Sequence, residues 1–391
     1  MRFAASENHW ASLTASAATA VLVGFASTIL IIMQAAQNVG ASPAQQASWA
    51  AVLCYGMAAT TAILCWRTRM PIITAWSTPG AVLIASSAAG VDYPTALGAF
   101  VVAGILMVIT GLVKPLERAI EKMPGSIAAA MLAGVLVSYV LKVPGAALAS
   151  PALVLPLVTA FFAMRLLKPL YAVPVVLLLG LGLGVASGGM TQSCCTIGFT
   201  KLTFDVPQFH LAAILGLGVP LYLVTMASQN LPGFAVLKAA HYQPPVSLSL
   251  ITTGLASVVM APFGGHAVNL AAITASLVTG PDAHPDPAQR WKVVYPYVVL
   301  YGLVGLAAAS FVQILGALPH DLVVAIAGLA LFGPLLGGMS AMLKGPSDLD
   351  AALVTFLVTA SGLTIHGVGA AFWGLSAGLV LSGIKRVMTK R

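Results

Sequence analysis

Charge is what this chain has least of. Of 391 residues only 7% are Asp, Glu, Lys or Arg, against 59% that are hydrophobic, and the mean hydropathy is +0.98. An ordinary soluble domain carries roughly 25% charged residues, so a soluble enzyme is excluded. The ten acidic residues are too few and too peripheral to build a carboxylate cation site, and the four cysteines (Cys54, Cys65, Cys194, Cys195) lack metal-ligand spacing. Neither a metal nor another cofactor is therefore expected. No nucleophile with a neighbouring base falls within an apolar run, which argues against a membrane-embedded enzyme. The net charge of +8 does not signal nucleic acid, because the basic residues are scattered between long apolar stretches. Met1 to Trp10 is mixed polar sequence followed by a span too long for a signal-peptide core, so no cleavable leader is expected.

Apolar runs fill the rest. Cutting at charges and at Pro and Gly clusters gives fourteen segments, near 14–38, 46–66, 71–90, 94–113, 124–142, 150–164, 170–188, 210–236, 245–261, 263–280, 292–314, 319–340, 349–364 and 367–385. With both termini cytoplasmic, 16 of the 18 basic residues fall on the inner side, and only Lys142 and Lys201 fall outside. That asymmetry follows the positive-inside rule. The expected fold is an all-α polytopic membrane protein.

A weak internal repeat supports a particular topology. Gln37-Asn38-Val39-Gly40 returns as Gln229-Asn230-Leu231-Pro232-Gly233, and 39 residues after each Asn stands a helix-capping type, Ser77 or Asn269. Met123-Pro124 with Ser126 to Ala130 parallels Leu318-Pro319 with Asp321 to Ala325. Each half, 1–200 and 201–391, holds seven segments. An odd number makes the second copy enter the bilayer upside down, giving a seven-plus-seven inverted repeat of the kind found in secondary transporters.

The third and tenth segments are irregular in both copies. Pro71-Ile72-Ile73-Thr74-Ala75-Trp76-Ser77-Thr78-Pro79-Gly80 predicts a short extended piece to Trp76 and a half-helix from about Thr78. In Pro262-Phe263-Gly264-Gly265-His266-Ala267-Val268-Asn269, the glycines permit extended backbone and Asn269 is expected to cap a second half-helix. Two such N-termini facing each other mid-membrane would hold an anion without any charged side chain. Gln34, Gln37 and Asn38 share one helical face, and Ser228, Gln229 and Asn230 form the equivalent cluster. Packing or helix–helix hydrogen bonding would also account for these residues. Trp76 offers a surface for an aromatic ring. His266 is the ionisable group placed inside a span, where its ordinary pKa suits proton coupling, although a neutral, hydrogen-bonded core histidine would look the same in sequence.

Several longer words point to a family. Thr74-Ala75-Trp76-Ser77-Thr78-Pro79-Gly80, Thr225-Met226-Ala227-Ser228-Gln229-Asn230, Ala271-Ala272-Ile273-Thr274-Ala275, Ala283-His284-Pro285-Asp286, Gln289-Arg290-Trp291 and Val358 to Thr364 resemble the benzoate/proton symporter (BenE) family over essentially the whole chain. The resemblance implies the architecture of uracil permease and the sulfate-permease-like anion transporters. A core of spans 1–4 and 8–11 (about 14–113 and 210–314) would move against a gate of spans 5–7 and 12–14 (about 124–188 and 319–385). It implies inner-membrane uptake of benzoate or a similar aromatic carboxylate with a proton, and a homodimer by analogy. The expected substrate site is Gln34, Trp76, Ser77, Thr78, Gln229, Asn230, His266 and Asn269, with His266 as the proton site. An anion channel, uniporter or exchanger is the alternative from the same dipoles. Nucleobase permeases look similar in architecture but use acidic residues in spans eight and ten, where this chain has Ser228-Gln229 and His266 to Asn269.

Overall fold

The computed structural model describes residues 8–87, 90–115, 124–188, 198–271, 274–344, 348–366 and 368–389. Cys194 and Cys195 lie outside the described residues. Within them the chain is a helical polytopic membrane protein. Eight helices are long and apolar enough to cross a bilayer: His9–Asn38, Pro43–Thr68, Tyr93–Leu112, Gly125–Ala149, Pro169–Ala186, Leu211–Ala239, Val246–Phe263 and His320–Met342. A bent pair, Pro287–Leu306 and Ala308–Gly316, makes a ninth if taken as one span. Pro151–Leu167, Leu349–Ala360 and Ala370–Lys385 are apolar but shorter. Two further predicted segments are each a strand joined to a short helix: β1 (Thr74–Trp76) with Thr78–Ser87, and β2 (Val268–Leu270) with Ala275–Thr279. Every one of the fourteen apolar runs thus meets an ordered element, although only the longer helices satisfy the length of a full crossing.

Three spans are less regular than their sequences suggest. The first, predicted as continuous, breaks between Asn8–Ala26 and Ile29–Asn38. Ser27 Oγ donates to Gly24 O (3.2 Å), so its side chain competes for backbone at the break. The eighth widens into π-type turns at Ile214–Gly218 and Met226–Asn230. The eleventh bends by 56° near Ala307.

Packing separates the helices into two groups. Tyr93–Leu112 lies along Val246–Met260, Val294–Leu306 along Pro43–Thr68, and Ile29–Asn38 along Thr78–Ser87. In the other group, Gly125–Val140 packs on His320–Met342 and Leu349–Ala360, the latter also on Ala370–Thr389, and Pro151–Leu167 on Ala172–Ala186.

A segment without regular structure, residues 198–210, is bonded across one face of the first group. Asp205 accepts from Gln45 Nε2 with both carboxylate oxygens (3.1 Å each), and Asp205 N donates to Pro262 O (2.9 Å). Thr203 N donates to Ser48 Oγ (3.0 Å) and Gln208 N to Pro94 O (2.9 Å). Thr200 repairs the bend of the eleventh span: its Oγ1 donates to Leu306 O (3.1 Å) and accepts from Ala309 N (2.9 Å).

The two strands pair antiparallel, Thr74 opposite Leu270, Ala75 opposite Asn269 and Trp76 opposite Val268. A two-stranded ladder leaves two open edges, which hydrocarbon does not tolerate. Side chains from neighbouring helices close both. Thr61 Oγ1 accepts from Thr74 N (3.0 Å) and Tyr297 OH donates to Thr74 O (2.6 Å). On the other edge Ser257 Oγ accepts from Val268 N (2.9 Å) and Asn230 Oδ1 from Leu270 N (2.9 Å).

Candidate functional site

Ser77 is the hub of the crossing. It ends β1 and caps the following helix, its Oγ accepting from Gly80 N (3.1 Å) and its carbonyl from Ala81 N (2.8 Å). This is the half-helix start that the sequence predicted at Thr78. Pro79 has no N–H and Gly80's is capped, so Thr78 N–H is the first-turn donor that neither uses. Ser77 Oγ also shares a hydrogen bond with Thr225 Oγ1 (2.9 Å) across the crossing. Thr78 Oγ1 lies 3.1 Å from Thr28 Oγ1, at the break in the first span. Replacing Ser77 with Ala removes both the cap and the Thr225 bond. The expected cost is about 1–2 kcal/mol, read as a lower unfolding temperature in detergent, with Thr225→Val costing less because the cap survives.

Asn269 does not cap a half-helix, as the sequence reading expected. It sits in the middle of β2, fully buried, and the helix of that segment begins at Ala275 and has only five residues. With its amide turned to satisfy both neighbours, Asn269 Oδ1 accepts from Ser77 N (3.1 Å) and Nδ2 donates to Leu270 O (2.9 Å). The pairing of β2 with β1 holds Asn269 in extended backbone, and so the expected pair of facing N-termini reduces to one capped half-helix, Thr78–Ser87.

His266 is buried between two fixed partners. Trp49 Nε1–H, which can only donate, points at its Nδ1 (3.0 Å). Nε2 lies 2.9 Å from Ser77 O, a carbonyl that can only accept. Those partners assign the neutral tautomer with hydrogen on Nε2. A second proton at Nδ1 requires the Trp49 indole to withdraw. The Phe100 ring stands edge-on at 6.3 Å.

The remaining predicted residues divide. Asn230 is buried, its Oδ1 committed to β2 and its Nδ2 facing Met226 Sδ (3.2 Å). Trp76 is 2% exposed, packed against Phe25 (5.9 Å between centroids) and Tyr301 (6.5 Å). Gln34 and Gln229 are half-buried, and neither side chain makes a hydrogen bond among the described residues. Gln34 stands on the helix packed against Thr78–Ser87, and Gln229 on the π-type turn packed against β2. Gln37 and Asn38 are exposed near the helix end, Asn38 Nδ2 reaching Ile84 O (3.4 Å). Sequence reasoning missed Trp49, Thr225, Thr28 and Tyr297. None has a local signature, since each acts through a partner far along the chain.

The arrangement suits a small anion: backbone donors, hydroxyls and amides around a buried crossing, next to an aromatic cluster, and no group of metal-ligating side chains among the described residues. Solved structures with the same architecture include the transmembrane domain of a cyanobacterial bicarbonate transporter, BicA (TM-score 0.61, 17% identity, 97% of each chain covered). The murine anion transporter Slc26a9 in its inward-facing state also matches (TM-score 0.63, 12% identity, 98% of this chain and 69% of that one). These anion transporters, and not uracil permease, carry the assignment of the fold. In sequence, the chain is 39% identical over 372 residues to inner membrane protein YdcO of Escherichia coli K12, covering 95% of each. It is 31% identical over 369 residues to the benzoate membrane transport protein of Acinetobacter baylyi, covering 94% of each. Residues 6–384 match the family BenE, described as benzoate membrane transport protein, so the match takes in the half-helix, both strands and every residue at the crossing. With the family model matching nearly the whole chain and a benzoate transport protein 31% identical over 94% of it, the chain belongs to the BenE family of membrane transport proteins, which are transporters and not enzymes.

Proposed function

We propose that this chain is an inner-membrane secondary transporter that takes up benzoate or a related aromatic carboxylate with a proton by alternating access. The observation that carries the reading is the capped half-helix at Ser77-Thr78. It presents a backbone donor and a positive dipole end beside an aromatic cluster, deep in an apolar fold. The carboxylate sits at Thr78 N–H, the ring against Trp76 after Phe25 gives way, and Gln34 and Gln229 supply orienting hydrogen bonds from outside the ladder. Ser77, Asn230 and Asn269 hold the crossing that shapes the site. The names of the two curated relatives support the location and the substrate class.

The proton belongs on His266. Carrying an unpaired carboxylate through low dielectric is costly, and an imidazolium beside it offsets the charge. Substrate entry would pull the Trp49 indole off Nδ1 and free that nitrogen. The moving body is the helix group that includes both strands (about 14–113 and 210–314), and the gate is the group around His320–Met342 (about 124–188 and 319–385). Their separate packing supports that division, and the topology that goes with it is a seven-plus-seven inverted repeat of fourteen crossings with both termini cytoplasmic.

The test is uptake of labelled benzoate into proteoliposomes, with and without an inside-alkaline gradient, after subtracting passive entry of benzoic acid into protein-free vesicles. Saturable, gradient-driven accumulation is expected, competed by other aromatic acids and not by uracil. His266→Gln should abolish the response to the gradient, a loss of at least about tenfold on the scale of a missing proton-transfer group. One observation favours a second reading: the histidine is held neutral by Trp49. If wild-type flux follows voltage and substrate gradients but ignores pH, the protein is an anion uniporter or exchanger and His266 is a brace.

A further inference from the structure

A cavity of about 560 Å³, open to solvent, is lined by Asn38 to Gly40, Gln45 and Gly90 to Pro94, and one of its lining rings, Tyr93, stands 6.2 Å from the Trp49 ring. Gln45 connects this rim to Asp205 of the 198–210 segment, and Asp92 stands on its wall. Trp49 is one helical turn below Gln45, about 6 Å deeper. The cavity therefore approaches His266 from the face that carries Asp92 and Asp205, opposite the face of Arg67, Arg69 and Arg290.

Tyr93 joins the two. It lines the cavity, yet only 4% of it is exposed, and its hydroxyl is buried with no hydrogen-bond partner among the described residues. A side chain on Gly264 would come within 2.8 Å of that hydroxyl and 2.9 Å of Trp49 Cβ, so the phenol reaches the turn that leads into His266. Gly264 has φ +100°, and this is a place where the lack of a Cβ is required on both counts. A second buried hydroxyl, Thr203 Oγ1, is also without a partner among the described residues. Thr203 is tied through Ser48 Oγ to Phe263 O (3.0 Å), the residue before Gly264. Two unsatisfied buried hydroxyls, one beside this turn and one on a residue whose backbone is tied to it, are unusual, since buried polar groups are nearly always paired, by protein or by water.

We infer that Tyr93 is the relay through which protons from this outer cavity reach His266, by way of water held between the Tyr93 and Thr203 hydroxyls at the Phe263-Gly264 turn. The inference rests on the reading of His266 as the proton site. In each step Tyr93 Oη accepts one proton from cavity water and releases its own to the buried water. That water passes a proton to His266 Nδ1 once the Trp49 indole has moved. The ring becomes imidazolium with Nε2–H still donated to Ser77 O, and Tyr93 ends as it began. Asp92 on the wall and Asp205, bonded to Gln45 of the lining, are the carboxylates placed at the entry, where they concentrate protons. The His266 ring itself meets Trp49, Phe100 and Ser77, with no charged side chain among the described residues in contact with it.

Tyr93→Phe removes the relaying oxygen and keeps the ring. In proteoliposomes, net uptake driven by a pH gradient should fall at least about tenfold at external pH 7.5 and recover as the external side is acidified. Exchange of internal for labelled external benzoate at equal pH on both sides, which needs no net proton movement, should keep its rate. Thr203→Val should give a smaller defect of the same kind. If His266→Gln loses the pH response while Tyr93→Phe keeps the wild-type pH profile, the route is wrong and the proton site stands. An equal loss of net uptake and exchange in Tyr93→Phe makes the residue a packing element and overturns the inference. A pH response that survives in His266→Gln removes the reading beneath it.

Discussion

Replacing Asn230 with Leu is expected to cost about 1–3 kcal/mol of stability and to remove transport with it, because the variant leaves Leu270 N–H buried without an acceptor. Leu is close to Asn in size, so the loss isolates the hydrogen bond and not the space. In a soluble protein such an edge could relax toward water. Here Asn230 is fully buried and its only route to solvent is through packed helices. The measurement is thermal unfolding in detergent alongside uptake. A fall in unfolding temperature together with lost maximal uptake marks Asn230 as the clasp on β2. If stability is unchanged and only the substrate concentration for half-maximal uptake rises, Asn230 is instead a substrate ligand, as its place beside Gln229 first suggested. Gln229→Ala should give that second pattern, since its side chain is not tied to the ladder.

Asn230 also shows where the sequence was legible and where it was not. Hydropathy and Pro, Gly and β-branched residues carry local information. They located fourteen apolar runs, the extended Thr74–Trp76 and the cap at Ser77, all consequences of residues within a few positions of one another. The cap type at Asn269 misled because Asn, a residue seldom found in strands, is kept in this one by its amide bonds to Ser77 N and Leu270 O. What decided between cap and strand was β1, almost two hundred residues away in the chain. The same holds for His266. A lone histidine in an apolar run says nothing about its tautomer, and Trp49, which fixes it, sits in a helix rich in alanine with no polar pattern to mark it. The break at Ser27-Thr28 was hidden too, since Ser and Thr are tolerated within membrane helices, and only the approach of Thr28 to Thr78 gives the interruption a purpose.

The Trp49–Ser77 bracket carries a further consequence for alternating access. β1 and β2 are joined to four helices, through Thr61, Ser257, Asn230 and Tyr297, by one set of hydrogen bonds, none of it to the helix group around His320–Met342. A ladder closed on both edges resists shear, so the site moves as a unit with its helices or not at all. In the proposed alternating-access cycle, the interface between the two helix groups is where motion would occur. There the described contacts are mainly apolar, and sliding breaks few hydrogen bonds.

Among the described glycines, Gly98→Ala is expected to have one of the largest structural effects. A Cβ at Gly98 would stand 1.9 Å from the carbonyl oxygen of Gln208 and 2.7 Å from its carbonyl carbon. Both are backbone atoms, so no rotamer change relieves the clash, and either the Tyr93–Leu112 helix or the 198–210 segment has to move. The segment is the weaker partner. It lacks helical hydrogen bonds of its own and is held by Gln45, Ser48, Pro94 and Pro262, so lifting it at Gln208 strains the Gln208 N to Pro94 O bond first. Overpacking of this kind costs typically about 1–3 kcal/mol. Lys201 is exposed already, but its neighbours Thr200 and Thr203 are held through their backbone N–H groups, so trypsin should cut there only in the freed segment, in intact proteoliposomes oriented with this face outward, while the unchanged protein resists. The functional effect follows from what the segment bridges. Thr200 caps the bend at Leu306 and Ala309, Asp205 reaches the rim at Gln45, and Thr203 sits on the Phe263-Gly264 turn that leads to His266. Loss of that brace should slow uptake without altering which aromatic acids compete, because no hydrogen bond or ring contact among the described residues joins 198–210 to Trp76, Thr78 or Gln229. Tryptic resistance with normal uptake would show that the helix yields instead and that the segment is no more than a tether.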